Sequence, residues 1–216
     1  PYDALSEQLG ATAAALRARG VQRNDRVAIV VPNGPEAATA FLGVSAAATS
    51  APLNPAYRAE EIEFYLADLG ATLLVVDASL DTPARDVAVR LGIPVVELTH
   101  GGRAGAFSLG SDSCGGNDVE LAGPDDVALV LHTSGTTSRP KQVPLTHANI
   151  CASARHIVAA LALGPDDRCL NVMPLFHIHG LMAAVLASLT AGGSVVCTPG
   201  LRVPEFFGWV EEYHPT

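Results

Sequence analysis

TSGTTSRPK, running from Thr133 to Lys141, is the stretch on which the reading of this chain turns. Five hydroxyl residues (Thr133, Ser134, Thr136, Thr137 and Ser138) surround Gly135, and Arg139, Pro140 and Lys141 close the string. Directly before it stands DVALVLH (Asp126 to His132), an apolar, β-branched run that predicts a buried strand. A loop rich in hydroxyls and backbone N–H groups, ending in cations, suits the phosphate oxygens of a nucleotide. Glycine lets the backbone approach a ligand where a Cβ would collide. The competing reading is a polar turn after a strand, since Ser, Thr, Gly and Pro are ordinary loop residues. The string is not a Walker loop, which needs Gly-Lys-Ser/Thr opening a helix. Here Pro140 precedes Lys141, and Val143 to Leu145 (VPL) looks extended. Proline fixes its own φ and pushes Arg139 out of the helical region. The spacing therefore predicts a mobile strap between two extended segments, holding phosphate through hydroxyls, amides and Lys141.

Outward from the strap, helical and strand patterns alternate. Leu5, Leu9, Ala13 and Leu16 form a helical stripe over Asp3 to Arg19, closed by Gly20. Short apolar strands are expected at Arg26–Val31, Thr72–Val76, Pro94–Leu98, Arg168–Val172 and Ser194–Thr198, with a brief extended piece at Ser50–Leu53. Helices are expected at Glu36–Ala48, Ala59–Leu69 (ended by Gly70), Ala84–Leu91, His147–Leu163, Ile178–Leu189 and Val203–Tyr213. The fold class this predicts is α/β, with largely parallel sheets flanked by helices on both faces. Ligands in such sheets bind outside the carboxyl ends of strands, here near His132 and Val172. Thr99 to Pro124 carries many Gly, Ser and Asp residues without periodicity, which predicts a linker or surface excursion over 99–124. It divides a first α/β lobe, 1–98, from a second, 125–216.

A second string, MPLFHIHGL (Met173 to Leu181), follows the strand ending near Val172. His177 and His179 as a His-x-His pair on an extended segment would point the same way and could ligate a metal. No acidic or cysteine ligand lies nearby in sequence, and two loop histidines making structural hydrogen bonds is a further reading. No metal site is therefore assigned.

TSGTTSRPK together with VPLTHANI (Val143 to Ile150) resembles the phosphate-loop signature of the adenylate-forming superfamily, which includes acyl-CoA synthetases and amino-acid-activating domains. Two positions depart from its usual pattern, Ser138 and Gln142 standing where glycines are common. The string TTSRPK is similar to the branch containing plant and fungal oxalate–CoA ligases. The resemblance implies part of the large N-terminal domain of the acyl-CoA synthetase fold. It also implies ATP, Mg2+ and coenzyme A, and a small-molecule carboxylate as substrate. Thr133, Ser134, Gly135, Thr136, Thr137, Ser138 and Lys141 would hold the nucleotide phosphates, with Lys141 also acting in catalysis. His177 would contact the carboxylate being activated, while His179 and Gly180 would shape the acyl pocket. Gln142 would restrict the loop's hinge or remove a close backbone approach. The strings RNDRVAIVVPNGPE (Arg23 to Glu36) and APLNPAYRAEEIEFYLADLGATLLV (Ala51 to Val75) resemble N-lobe landmarks and read as scaffold.

In this superfamily a carboxylate attacks the α-phosphorus of ATP, giving an acyl-adenylate and pyrophosphate, and a thiol then displaces AMP. The adenine, ribose and C-terminal-lobe motifs expected of it are not found here. A missing C-terminal part and an inactive isolated polypeptide are therefore expected. A small dicarboxylic acid such as oxalate or a fatty acid is the expected substrate. The alternatives are a non-catalytic nucleotide-binding module with a degenerate loop, and another adenylating enzyme such as an amino-acid-activating domain. A Rossmann dehydrogenase is disfavoured, since no G-x-G-x-x-G follows Val27 to Val31.

Composition narrows the rest. A formal charge of −9 and aromatics at 5% argue against a nucleic-acid partner. Cys114, Cys151, Cys169 and Cys197 form no C-x-x-C pair, which predicts reduced thiols in a cytoplasmic protein. Leu181 to Leu189 is the longest apolar run, about half the roughly 18 residues a membrane span needs. It reads as a core helix, and a start at Pro1 with neither methionine nor a signal-like segment leads to the expectation of a trimmed piece of something longer.

Overall fold

The computed structural model describes residues 1–110, 120–133 and 140–216. Strand β1 (Arg26–Val30) is flanked in parallel by β2 (Thr49–Pro52) and β3 (Leu73–Asp77), and β3 by β4 (Val95–His100). β6 (Val127–Thr133) joins β2 in parallel, β7 (Lys141–Thr146) runs antiparallel to β6, and β5 (Phe107–Leu109) runs antiparallel to β4. The result is one sheet of order β5-β4-β3-β1-β2-β6-β7. A separate parallel pair, β8 (Arg168–Asn171) and β9 (Ser194–Cys197), completes the strands.

Strand residues alternate between two apolar clusters, as a sheet covered on both faces requires. Val27, Ile29, Leu73 and Val75 pack with Leu16 of α1 (Tyr2–Ala18) and with Phe41 and Val44 of α2 (Pro35–Ala47). Ala28, Val30, Leu74 and Val76 face the other way. They meet Ile62, Leu66 and Leu69 of α3 (Ala59–Leu69) and Val87 of α4 (Ala84–Arg90). Helix ends follow local chemistry. Gly70 closes α3 with φ 57°, its N–H donating to Ala67 and Leu66 carbonyls, a conformation a side chain disfavours. Thr146 opens α5 (His147–Leu161) with a reciprocal box, its Oγ1 accepting from the Asn149 N–H while Asn149 Oδ1 accepts from the Thr146 N–H. Among the described residues no helix is long and apolar enough to cross a membrane.

The structure adds detail within and across residues 99–124. Within residues 99–110, β4 extends to His100, and β5 pairs with it through Leu98–Leu109, Thr99–Ser108 and His100–Phe107. A three-residue strand among glycines carries too little periodicity to be read. It is held from outside by Gln8 of α1, whose amide donates to the Phe107 carbonyl (3.0 Å) and accepts from its N–H (3.3 Å). The sheet also runs across the interval 99–124, because β6 inserts beside β2 with Ser50 opposite Leu129. Strand order in space is a tertiary property that local patterning does not encode. The helix expected from Ile178 begins as a π-helix, His179–Leu186, and continues as α6 (Ala187–Thr190). The last helix, α7, covers Val203–Tyr213.

Candidate functional site

Thr133 ends β6 and Lys141 begins β7 directly opposite it. The Thr133 hydroxyl donates to the Lys141 carbonyl at 3.5 Å across the hairpin. Lys141 is exposed, and its ammonium has no carboxylate partner among the described residues. Ser134, Gly135, Thr136, Thr137, Ser138 and Arg139 lie outside the described residues.

One step back along each strand, His132 and Gln142 form the preceding cross-strand pair. Both reach the same residue of α3. His132 Nε2 lies 2.9 Å from Asp68 Oδ2, and Gln142 Nε2 donates to that oxygen (2.8 Å) and to the Asp68 carbonyl (2.5 Å). These donors, Gln142 first, hold the Asp68 carboxyl below the usual carboxylate range. The imidazole of His132 is only 7% exposed and rests edge-on against Tyr65, centroids 4.7 Å apart; Tyr65 in turn stacks on Tyr57 at 4.8 Å.

The second group lies in the turn after β8. The backbone N–H of His179 donates to His177 Nδ1 at 3.3 Å. In the neutral ring that leaves the proton on Nε2, so the exposed imidazole presents a donor to whatever approaches it. The extended geometry that would set His177 and His179 side by side is not formed, because the chain turns at Leu175 and Phe176 and is helical from Ile178. The premise of a His-x-His metal pair is thereby removed. Gly180 is buried against the turn, where an added Cβ would overlap the Pro174 carbonyl oxygen.

Asn33, in the turn after β1, pins this segment. Its amide donates to the carbonyls of Met173 (3.1 Å) and Thr198 (3.3 Å), and its Oδ1 accepts from the Leu175 N–H (2.7 Å). One side chain thus ties the carboxyl end of β1 to the segments following β8 and β9. Sequence reading placed it in scaffold. The available signal was its position, a polar residue between Pro32 and Gly34 just past a buried strand, where α/β sheets bind ligands.

No hydrogen bond or ion pair among the described residues joins the hairpin group to the histidine turn, yet the sheet sets them on one side. Leu129, Leu131 and Leu145 pack with the cluster that holds Leu175 and Leu181, whereas Val130 packs with the α3 and α4 cluster. Side chains alternate along a strand. Thr133 and its partner Lys141 therefore project on the side of the Met173–Leu181 segment, and His132 and Gln142 on the side of α3. Met182 of the π-helix also packs on Ala128 of β6 and Ile150 of α5. A cavity of about 470 Å³, lined by Tyr2, Leu5, Ala38, Leu42, Val185 and Cys197 among others, is elsewhere and includes none of Thr133, Lys141 or His177.

A largely parallel α/β sheet that sets Thr133 and Lys141 on the same face as a histidine turn has the layout in which such domains bind ligands beyond their strand ends. Residues 2–216 match the AMP-binding enzyme family, and the chain belongs to it. It is 43% identical over 204 residues to an oxalate–CoA ligase of Arabidopsis thaliana, covering 91% of this chain and 40% of that protein. Among solved structures, ATP-bound MatB from Rhodopseudomonas palustris superposes with a TM-score of 0.81 at 30% identity, over 97% of this chain and 42% of that one. A long-chain-fatty-acid–CoA ligase (FadD1) from Archaeoglobus fulgidus gives 0.83 at 30%, with the same coverage. The chain spans about 40% of the length of the curated relatives it matches.

Proposed function

We propose that the protein of which these residues form part is an ATP-dependent acid–CoA ligase acting through an acyl-adenylate. A substrate carboxylate oxygen attacks the α-phosphorus of ATP, the bond to the bridging oxygen breaks, and pyrophosphate leaves. The thiol of coenzyme A then attacks the acyl carbon, giving the thioester and releasing AMP. The observation that carries this reading is the placement of Thr133 and Lys141 opposite one another on the sheet face that also holds the His177 turn.

On this reading Thr133, Lys141 and residues 134–138 hold the β- and γ-phosphates, and the Lys141 ammonium offsets charge that grows on the leaving pyrophosphate. His177 Nε2–H donates to the substrate carboxylate, orienting it and relieving its repulsion from the phosphates. Gly180 and His179 bound the acyl end. Among the described residues no group of three acidic, histidine or cysteine side chains gathers to hold Mg2+, so no step is assigned to the ion. The 43% identical oxalate–CoA ligase supports a small dicarboxylic acid over a fatty acid. A reducing, cytoplasmic setting fits Cys151, Cys169 and Cys197, which are unpaired, and burial pushes the Cys197 thiol up to about 12.

Pyrophosphate release by the protein in its full natural length, screened over oxalate, other short diacids, hydroxycinnamates and fatty acids, tests the proposal. Release with one acid class and a matching CoA thioester is expected. ATP binding without release for any acid would replace it with a non-catalytic nucleotide-binding module.

A further inference from the structure

Gln142 departs from the glycine of the family pattern, and the structure gives its side chain an employment. We propose that Asp68 is a positioning residue for Thr133 and Lys141, acting through a latch in which His132 and Gln142 bind the hairpin to α3. The proposal rests on reading that hairpin as the phosphate site.

Three observations carry it. First, the latch holds a matched cross-strand pair, so it constrains both strands at the step immediately preceding Thr133 and Lys141. Second, it works from the α3 side, while Thr133 and Lys141 project from the opposite side. The carboxylate can therefore fix the hairpin without occupying the face a ligand would use. Third, helix formation does not explain Asp68. A carboxylate in the last turn of α3 opposes the helix dipole. What offsets this is donation from the hairpin, with Gln142 also satisfying the Asp68 carbonyl, one of the helix's terminal acceptors. Tyr65, stacked on Tyr57, backs the imidazole of His132 and limits its swing.

A glycine at 142 would leave that strand end with broad backbone freedom. Gln142 replaces the freedom with a tether, so less order remains to be imposed when phosphate binds.

The test uses the protein in its full natural length, with the variants Asp68→Ala, Gln142→Gly and the double variant. ATP dissociation constants are measured by calorimetry without acid, and KM for ATP and for the carboxylate by pyrophosphate release. Amide exchange at residues 131–133 and 141–143 is followed without ATP. Each single variant is expected to raise the ATP constant and speed exchange roughly 5- to 20-fold, the scale of one or two net hydrogen bonds. KM for the carboxylate should stay within about twofold, and the double variant within about twofold of the worse single, as members of one unit behave. Asp68→Asn, which keeps the shape and one acceptor oxygen, should fall between wild type and Asp68→Ala. Unchanged ATP constants in the single variants, or losses that multiply in the double, overturn the latch. A wild-type protein that binds ATP yet releases no pyrophosphate defeats the ligase reading alone, since the ATP constants still decide the latch.

Discussion

Replacing Gly180 with alanine should displace the His177 turn, and the size of the effect follows from what surrounds the new methyl group. Its Cβ would overlap the Pro174 carbonyl oxygen and stand 3.1 Å from the Pro174 carbonyl carbon and 3.2 Å from the Met173 oxygen. These are backbone atoms, and they are tied down. The Pro174 oxygen accepts from the His177 N–H at 3.3 Å, and Asn33 holds the Met173 oxygen and the Leu175 N–H. Overpacking typically costs about 1–3 kcal/mol, and the upper part of that range applies where a tethered backbone must move. Alanine's better helical propensity returns about 0.5–1 kcal/mol, leaving a net loss of about 2 kcal/mol. For a domain of this size that corresponds to a fall in Tm of about 4–8 °C. Gly208 in α7 supplies the control of opposite sign. It is exposed, and a Cβ there meets nothing within 4 Å, so Gly208→Ala should gain about 0.5–1 kcal/mol. Thermal unfolding of both variants, with pyrophosphate release by Gly180→Ala, reads the outcome. A Gly180→Ala protein as stable and active as wild type would refute the steric reasoning.

Asn33→Ala removes three main-chain hydrogen bonds and should destabilise by about 2–4 kcal/mol while raising KM for the acid more than KM for ATP. Asn33→Asp should rescue neither, because an oxygen would then face the carbonyls of Met173 and Thr198. Leu66→Ala, in the fully buried face of α3, should cost about 2–5 kcal/mol by denaturant unfolding without changing KM for ATP in the folded protein. A pH effect is expected from Asp77 and His100, 2.5 Å apart at the ends of β3 and β4. Burial alone would raise Asp77, but donation from Ser79 and His100 outweighs it and holds the carboxyl below its ordinary value. The Asp77 hydrogen bond, followed by its charge and that of Glu36, raises His100. Stability from Asp77 is present above the ordinary carboxylate range and lost as pH falls through its lowered value. Stability from His100 is present below the ordinary histidine value and lost as pH rises through the raised one. Tm should therefore fall as pH rises above the ordinary histidine value of about 6.5 in wild type, and His100→Gln should flatten that fall. An equal slope in both proteins would remove the assignment.

The parts of the fold legible in the sequence are those in which local chemistry and burial agree. The runs Val27–Val30 and Leu73–Val76 are apolar on both faces because both faces are covered, and Gly70 and the Thr146–Asn149 box punctuate helices by mechanisms confined to a few residues. The flanks of the strap read as extended for the same reason, since Pro140 forbids a helix through it, and β6 and β7 are indeed strands. What was not legible depends on groups distant in sequence. β5 pairs with β4 and is held to α1 by Gln8, 99 positions from Phe107. The π-helix starts at His179, where Gly180 lies close against the Pro174 carbonyl, and no helical periodicity records either fact. Asn33 and Asp68 looked like scaffold because each acts through main chain or side chains more than 70 positions away, at Met173 and Gln142.

That pattern bears on how the site is built. The residues proposed to carry the chemistry, Thr133, Lys141 and His177, are exposed and make few hydrogen bonds among the described residues. Under the proposed latch their geometry rests on side chains rooted in regular elements, Asn33 after β1 for the histidine turn and Asp68 in α3 for the hairpin. The two supports attach to different strands, and no hydrogen bond among the described residues links them, so the two halves of the site can be perturbed separately. Asn33→Ala should weaken acid binding and spare ATP, and Asp68→Ala should do the reverse. The two losses should multiply in the combined variant, because residues with no shared partner contribute independently. A combined loss smaller than the product would mean that the halves are coupled through the packing between the π-helix and β6, in which Met182 meets Ala128 and Leu181 shares a cluster with Leu129.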